Sequence, residues 1–411
     1  MRDHNRITVL LGAGAMMDVT TLSCYSITQN VISTQQYFLN DGKLESIPFL
    51  KYVYEQLKEY YSTERESVNF EDIFHALEML SSIQTANDER AVKSFRSVFG
   101  MLCSIKEEFA HVSPNLAYTG IRNLIETVIE NVAEFESEVY KEKWFPDFFR
   151  SIQEKMPMDV FTLNYDTWLE QIIEDYNDGF VPICETHQKF SANQLFSNND
   201  MLCTINHLHG QICFTTHLPT GSSRILTDGW YKANSFDLIR DLRISPKYLG
   251  YMAKTQAAEH IYQYPIITGL RKNDKIMTPP FDAYYTHFYQ QLRNNKNLLI
   301  IGYGFGDLYI NGLLNQFRNF HGSDGKVVYI GYLNPDNPIQ TMADMPIPNS
   351  MKQSIYMLFD DSDLSYRFLD LEHCTHIDSS DGKSRWYLGG FKSTVSTCST
   401  EILRFFNDTA P

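Results

Sequence analysis

The fold is decided by the stretch Ile7-Thr8-Val9-Leu10-Leu11-Gly12-Ala13-Gly14-Ala15, near the start of the chain. An apolar run of this kind, rich in β-branched residues, predicts a buried parallel strand. Glycines directly after such a strand let the backbone approach a diphosphate and direct N–H groups toward its charge. The third glycine of a dinucleotide fingerprint is missing, because the next glycine is Gly42. The stretch predicts a nucleotide-binding turn, with a ligand-free strand-to-helix turn as the alternative.

Three later segments also predict polar or glycine-rich strand ends. They are Val160-Phe161-Thr162-Leu163-Asn164-Tyr165-Asp166, His207-Leu208-His209-Gly210 and Leu298-Leu299-Ile300-Ile301-Gly302-Tyr303-Gly304-Phe305-Gly306-Asp307. In open α/β sheets, ligands bind at the carboxyl ends of the strands. We therefore expect these segments to meet at one edge of a sheet.

In this order, the four segments resemble the motifs of the SIR2-like (sirtuin-fold) family, in its bacterial antiphage, NAD-consuming branch. The resemblance covers about residues 7 to 335. It implies an α/β fold with a Rossmann-like parallel sheet. On this basis residues 1–339 form the NAD-binding domain, with a helical insertion at about 45–150, and residues 340–411 form a C-terminal appendage that serves assembly.

The resemblance also implies a set of site residues. The catalytic candidates are Asn164, His209 and Asp166. Residues implied in holding NAD are Gly12, Ala13, Gly14, Ala15, Thr20, Thr21, Gly302, Tyr303, Gly304 and Asn334. Tyr303 is expected beside the sugar or the adenine, and Asn334 beside the adenosine ribose, although a turn-forming Asn-Pro-Asp is an equal alternative for the latter.

Side-chain chemistry supports the catalytic candidates. Imidazole is the side chain that titrates near neutral pH, so His209 suits a general base acting on water or a ribose hydroxyl. The amide of Asn164 can both donate and accept, which suits it to fixing a hydroxyl or a water. Asp166 has a helix cap as an equal alternative, and Asp307 also fits a cap. For His207 we expect a packing or supporting role.

Departures from the deacetylase pattern indicate which reaction to expect. Deacetylases of this family carry two Cys-x-x-Cys pairs that bind zinc, and this chain contains no Cys-x-x-Cys, so we expect no zinc. The segment Met16-Met17-Asp18-Val19-Thr20-Thr21 also lacks the Arg and Pro found in deacetylases. Water then becomes the natural acceptor, and hydrolysis of NAD as substrate to nicotinamide and ADP-ribose is the favoured reaction. A binding subunit without catalysis and a protein ADP-ribosyltransferase are the alternatives.

Composition limits the class of protein. The chain has 411 residues, 43% of them hydrophobic, which is enough for a large core. A net charge of −15 argues against a general nucleic-acid-binding surface. Seven scattered cysteines, an odd number, and the lack of a long apolar run predict a reduced cytoplasmic protein with no membrane span.

Periodicity predicts the remaining elements. We expect a helix from Tyr25 to Phe38, helices through Phe70–Leu80 and Ile121–Val132, and a strand pair around Arg385 to Phe391. The segment Asn69-Phe70-Glu71-Asp72 fits either a recurring element of SIR2-like effectors or a helix cap with an acidic first turn.

The resemblance implies partners as well. An NAD hydrolase must be restrained until infection, so a homo-oligomer and a separate HerA-like ATPase are expected. The chain itself contains no complete Gly-x-x-x-x-Gly-Lys-(Ser/Thr) motif, so an ATP-driven step requires another protein.

Overall fold

The structure is a computed structural model. It describes residues 6–20, 22–40, 43–61, 68–85, 116–135, 142–197, 202–216, 230–240, 252–254, 260–262, 264–269, 272–332, 358 and 376–407.

A large, mostly parallel sheet forms the centre of the molecule. Its strands lie in the order β15-β16-β14-β13-β1-β4-β8-β5, and β15 is antiparallel to its neighbour. A four-stranded sheet, β6-β7-β10-β9, and two hairpins lie outside it. The strands are β1 Ile7–Leu11, β2 Gln36–Asn40, β3 Lys43–Ile47, β4 Met158–Thr162, β5 Tyr176–Asn177, β6 Phe180–Pro182, β7 His187–Phe190, β8 Cys203–His207, β9 Phe214–Thr215, β10 Tyr231–Ala233, β11 Met252–Lys254, β12 His260–Tyr262, β13 Asn297–Ile301, β14 Lys326–Ile330, β15 Ile377–Asp378 and β16 Ser384–Tyr387.

Helices cover both faces of this sheet. They are α1 Cys24–Ser33, α2 Phe49–Tyr61, α3 Phe70–Thr85, α4 Leu116–Phe135, α5 Trp144–Gln153, α6 Trp168–Ile172, α7 Ala192–Ser197, α8 Phe236–Arg240, α9 Lys272–Lys275, α10 Phe281–Asn294, α11 Leu308–Leu314, α12 Gln316–His321 and α13 Phe391–Asn407. The α/β class with a Rossmann-like parallel sheet is therefore confirmed.

Strand β1 shows why a central strand can carry apolar residues on both of its faces. All five of its residues are buried. Val9 and Leu11 belong to the core that α5 and α13 share on one face, and Leu10 belongs to the core on the other face, which includes α10. A strand covered by helices on both sides has no solvent-facing position, so it carries no alternating polar residues.

The strand order reverses direction at β1. From β1 the chain adds β4 and β8 on one side, and it later adds β13, β14 and β16 on the other side. The parallel pairing of β1 with β13 sets Leu11 opposite Ile301. A reversal of this kind opens a crevice at the carboxyl ends of the two strands, and ligands of α/β proteins bind there.

The described residues between β1 and β4 form mainly helices. Helices α1 to α4 pack against one another in a third core. The same core contains Ile212 and Ile266, which flank the turn that follows β8. The insertion therefore reaches the carboxyl edge of the sheet.

Two sequence-based expectations need correction. The helix predicted from Tyr25 to Phe38 ends at Ser33, because Thr34 is extended and β2 begins at Gln36 to pair with β3. Pairing with a neighbouring strand outweighs the local helical pattern here.

The interpretation of residues 340–411 as an appendage is wrong for their described part. Strands β15 and β16 extend the central sheet, with β16 parallel to β14, and α13 packs on α5 in the main core. The Asp18 carboxylate also accepts a hydrogen bond from the Lys392 backbone N–H, at 2.8 Å, and so ties α13 to the segment after β1. Scattered aromatic residues in this segment, such as Trp386 and Phe391, are core residues.

Within the part of the chain that the structure describes, no helix has both the length and the apolar character needed to cross a bilayer.

Substitution Phe391→Ala tests the integration of α13. The Phe391 ring is buried and makes edge-to-face contacts with Trp144, Phe145 and Phe148. Its removal leaves a cavity, so we expect the free energy of unfolding, measured with urea, to fall by about 3–5 kcal/mol. The exposed Tyr25 gives a control, since Tyr25→Ala is expected to change it by about 0.5 kcal/mol or less. A loss as small as the control's would mean that α13 is an independent appendage.

Candidate active site

Two glycine loops touch at the crevice between β1 and β13. The Gly14 N–H donates to the Gly302 carbonyl at 2.9 Å. Gly302 has a φ of +63°, and a Cβ on it would lie 1.9 Å from the Ala15 nitrogen. A Cβ on Gly12 would lie 2.6 Å from the Gly302 oxygen. These glycines are therefore required for the contact between the loops, whether or not a ligand is bound.

The other residues expected to hold NAD differ in their exposure. Ala13, Gly14 and Gly304 are exposed, whereas Ala15 is buried in the core. Thr20 is buried, and its hydroxyl accepts from the Leu22 N–H at 3.0 Å.

Tyr303 is turned into the core of the molecule. Its ring is buried, and its hydroxyl donates to Asn311 Oδ1 in the following helix α11, at 2.8 Å. The buried position of the Tyr303 ring therefore does not support the expected contact with a sugar. Thr21 and Asn334 lie outside the described residues.

Asn164 connects the end of β4 to the first glycine loop. Its amide nitrogen Nδ2 donates to the Gly12 carbonyl at 3.3 Å, and its backbone N–H donates to the Thr162 hydroxyl at 3.0 Å. The side chain is buried. These bonds place Asn164 at the crevice and hold its side chain against the Gly12 turn.

Asp166 lies directly before the helix that follows β4. Its Oδ1 accepts from the Trp168 N–H at 3.2 Å, at the start of α6. Thr167 holds the N-cap position and makes no side-chain cap bond, so Asp166 forms an Asx turn just ahead of α6 and is not its N-cap.

His207 lies in a buried polar cluster beneath Asn164. Its Nε2 is 2.9 Å from Glu170 Oε1, and its Nδ1 is 3.4 Å from the Asn164 carbonyl oxygen. Burial opposes protonation of His207, but the charge and hydrogen bond of Glu170 outweigh it and raise the pKa of the imidazole. A protonated His207 donates from both nitrogens, so it supports the backbone of Asn164.

His209 lies beside the cap of α11. Its Nε2 is 3.2 Å from Asp307 Oδ2, although this pair lacks hydrogen-bond alignment. The other oxygen of Asp307 accepts from the Tyr309 and Ile310 N–H groups, which confirms the expected cap. The cap fixes the carboxylate, and the carboxylate in turn faces the imidazole.

Lys272 completes this cluster. Its Nζ is 3.3 Å from Asp307 Oδ2 and 3.7 Å from Glu71 Oε1. Burial lowers the pKa of His209 and the Lys272 charge lowers it further, against the opposing effect of Asp307. For Asp307 burial raises the pKa, but the neighbouring His209 side chain, the Lys272 charge and the bond from the Ile310 N–H lower it well below its usual range. At neutral pH the site therefore holds a neutral imidazole beside an ionised carboxylate.

Glu71 shows how the helical insertion reaches the site. Asn69 caps α3 by accepting from the Glu71 N–H at 2.8 Å, so the cap alternative for this segment is confirmed. The same cap leaves the Glu71 carboxylate in the first turn of α3, where it faces Lys272.

Sequence reasoning missed Lys272 and Glu71 as neighbours of His209. Both lie far from His209 in sequence, and although the segment of Glu71 was singled out, nothing in the sequence connects either residue to His209. The pairing of Asp307 with His209 was also missed, because the sequence indicated only a cap. Within the described residues, no group of three or more His, Cys, Asp or Glu side chains is arranged to hold a metal ion.

Comparison with known families gives a match over part of the chain. Residues 159–343 match the family model described as a SIR2-like domain. The match includes the segments of Asn164, His209 and Gly302, and it begins after β1 and the insertion. No curated protein sequence matches the chain. The matched part is thus similar to SIR2-like domains, which supports an NAD-related activity.

The two glycines of the second loop give a matched pair of substitutions. A side chain at Gly302 meets the Ala15 backbone and a positive φ, whereas a Cβ at Gly304 meets no heavy atom within 4 Å. We expect Gly302→Ala to lower the free energy of unfolding by about 1–3 kcal/mol, since the loops must move apart. Gly304→Ala should leave it within about 0.5 kcal/mol. Equal effects of the two substitutions in urea unfolding would show that the loops do not pack in this way.

Proposed function

We propose that this chain hydrolyses NAD to nicotinamide and ADP-ribose. The main support is the convergence of Asn164 and His209 at the crevice between the two glycine loops, within a stretch similar to SIR2-like domains. A general base, a polar positioning group and exposed loop backbone at one sheet edge suit the cleavage of a dinucleotide.

His209 acts as the general base in this proposal. A water attacks the anomeric carbon of the ribose that carries nicotinamide, and the bond from that carbon to the nicotinamide nitrogen breaks with its electron pair leaving on nicotinamide. The proton of the water passes to His209. Its lowered pKa keeps the imidazole neutral and able to accept a proton.

Asp307 is a positioning residue for His209. Its carboxylate faces the imidazole and favours the protonated form as it develops, while the cap of α11 prevents the carboxylate from turning away. Lys272 limits this effect by sharing the same oxygen.

Asn164 positions the reacting ribose or water. Because its Nδ2 donates to Gly12, the carbonyl Oδ1 is the atom offered to the ligand. Asp166 contributes negative charge at the nicotinamide end of the site and also accepts from the Trp168 N–H just ahead of α6.

The glycine loops bind the diphosphate in this proposal. The exposed backbone N–H groups of Ala13 and Gly304 are the candidate donors. The N–H of Gly14 donates to Gly302, so Gly14 contributes close approach, since it has no side chain. We assign Gly12, Ala15 and Gly302 the task of setting the loop geometry, and Tyr303 that of holding the second loop through Asn311. Thr20, Thr21 and Asn334 keep the ribose and phosphate contacts that the family resemblance implies.

We further propose that the activity serves antiphage defence by depleting NAD on infection. This rests on the resemblance of the four motifs to the antiphage branch. Such an enzyme requires restraint, for which we propose assembly of several copies and a separate HerA-like ATPase partner.

The reaction is tested by following nicotinamide and free ADP-ribose with the purified chain, alone and with a candidate ATPase. We expect Asn164→Ala and His209→Ala each to lower nicotinamide release about a hundredfold or more, the usual scale for loss of a positioned acid–base group. Tyr25→Ala, at an exposed position, serves as the control.

Unchanged release in both site variants would remove the assignment of these residues. Nicotinamide release without an equal amount of free ADP-ribose would instead indicate transfer to protein.

The pH dependence of kcat/KM tests the role of Lys272. The acid limb of the profile reports the pKa of the general base in the free enzyme. Lys272→Met removes a positive charge that lowers the pKa of His209, so we expect the limb to move to higher pH. Asp307→Asn, which preserves a capping side chain, removes the opposing charge and should move it to lower pH.

Lys296→Met serves as the control for this experiment, because Lys296 is exposed and pairs with Asp324 at the surface. A limb that stays in place in both site variants, or that moves in the opposite directions, would mean that His209 is not the base.

A further inference from the structure

A second cleft lies beside the candidate active site. It has a volume of about 660 Å³, within the range of small-molecule sites. Helix α6, strand β10 and the segment leading into α8 form its walls, and polar side chains dominate its lining, among them Glu170, Gln171, Gln211, Lys232, Asn234 and Ser235. Asn164, His209 and the two glycine loops are not among the described residues that line it.

Two buried acceptors in the cleft wall lack partners. Among the described residues, none forms a hydrogen bond with Glu170 Oε2 or with Gln211 Oε1. The Glu170 side chain is 9% exposed and Gln211 is 1% exposed. Buried polar atoms are rarely left without a partner, because each costs about 1–3 kcal/mol.

The two acceptors lie side by side. Glu170 Oε1 accepts from His207 Nε2 and also from the Gln211 amide nitrogen, so the carboxylate and the amide are in direct contact. Their unpartnered oxygens therefore belong to neighbouring groups, which a single ligand group with two N–H bonds can satisfy.

The charges in the cleft are already paired. Lys232 contacts Asp178, Arg240 contacts Glu130 at 2.9 Å, and Glu170 contacts His207. With each of these charges matched, the cleft offers little attraction for a free phosphate or for a strongly cationic ligand. Its chemistry suits a neutral polar molecule.

We infer that this cleft binds a neutral planar molecule carrying an –NH2 group, of the carboxamide or aminopurine type. The two N–H bonds of that group donate to Glu170 Oε2 and Gln211 Oε1, and the amide and hydroxyl side chains of the wall bind the remaining polar edge. This site is separate from the proposed NAD site and does not depend on NAD hydrolysis.

The cleft is linked to Asn164 through one residue. Glu170 holds His207, and His207 faces the Asn164 carbonyl. A ligand that donates to Glu170 competes for the charge that keeps His207 in place. Binding in the cleft therefore weakens the support that His207 gives to Asn164.

Binding is tested by calorimetric titration of the purified chain with two matched pairs of probes. Nicotinamide and adenosine carry the –NH2 group. Their partners lack it: nicotinic acid has a carboxylate oxygen in its place, and inosine has a carbonyl oxygen. We expect binding of at least one amino-bearing probe, with the partner that lacks the group bound about tenfold more weakly or worse, since two buried acceptors stay unsatisfied. Whichever of nicotinamide and adenosine binds shows whether the –NH2 group of the natural ligand belongs to a carboxamide or to an aminopurine.

Two variants locate the binding. Ser235→Trp, at an exposed position in the wall, fills the cleft and should abolish binding, whereas Gly304→Trp fills the space over the second glycine loop and should leave it intact. Far-UV circular dichroism checks that both variants fold.

Three results would overturn the inference: no binding of either amino-bearing probe at millimolar concentration, equal binding within both probe pairs, or binding that survives Ser235→Trp and is lost in Gly304→Trp.

Discussion

The backbone contact between Gly14 and Gly302 is the constraint on which the site depends. Register pairing of Leu11 with Ile301 brings the two strand ends level, and the following loops then meet with no room for a Cβ at Gly12 or Gly302. The carbonyl of Gly12 accepts from Asn164, so the same contact fixes the first catalytic candidate. A change that separates these loops therefore disturbs the turn, the amide and the crevice together.

The electrostatics around His209 come from three separate parts of the chain. Asp307 follows β13, Lys272 lies in α9, and Glu71 comes from the insertion between β1 and β4. Lys272 lies between two carboxylates and lowers the pKa of His209, which keeps the imidazole available as a base. The insertion thus contributes charge to the site in addition to covering it. This gives a physical reason for a long helical segment at that place in the fold.

Much of the fold could be predicted from the sequence because apolar strand runs and glycine turns are local signals. The strand ends at Gly12, Asn164, His209 and Gly302 fall where the motifs indicated. The partners of His209 could not be predicted, since Lys272 and Glu71 meet only after the insertion folds onto the sheet. The C-terminal segment was misjudged for a similar reason. Its short strand Ser384–Tyr387 carries little pattern of its own and is defined by pairing with β14.

The central claim is that strand ends distant in sequence form one crevice for a pyridine dinucleotide. A crystal structure of the His209→Ala variant grown with NAD tests this most directly, since the glycine loops remain intact. We predict density for the diphosphate against the backbone N–H groups of Ala13 and Gly304 and close to Gly14, with the nicotinamide ribose beside Asn164. A crevice that stays empty between the glycine loops, with NAD absent or bound only elsewhere on the molecule, would contradict the account.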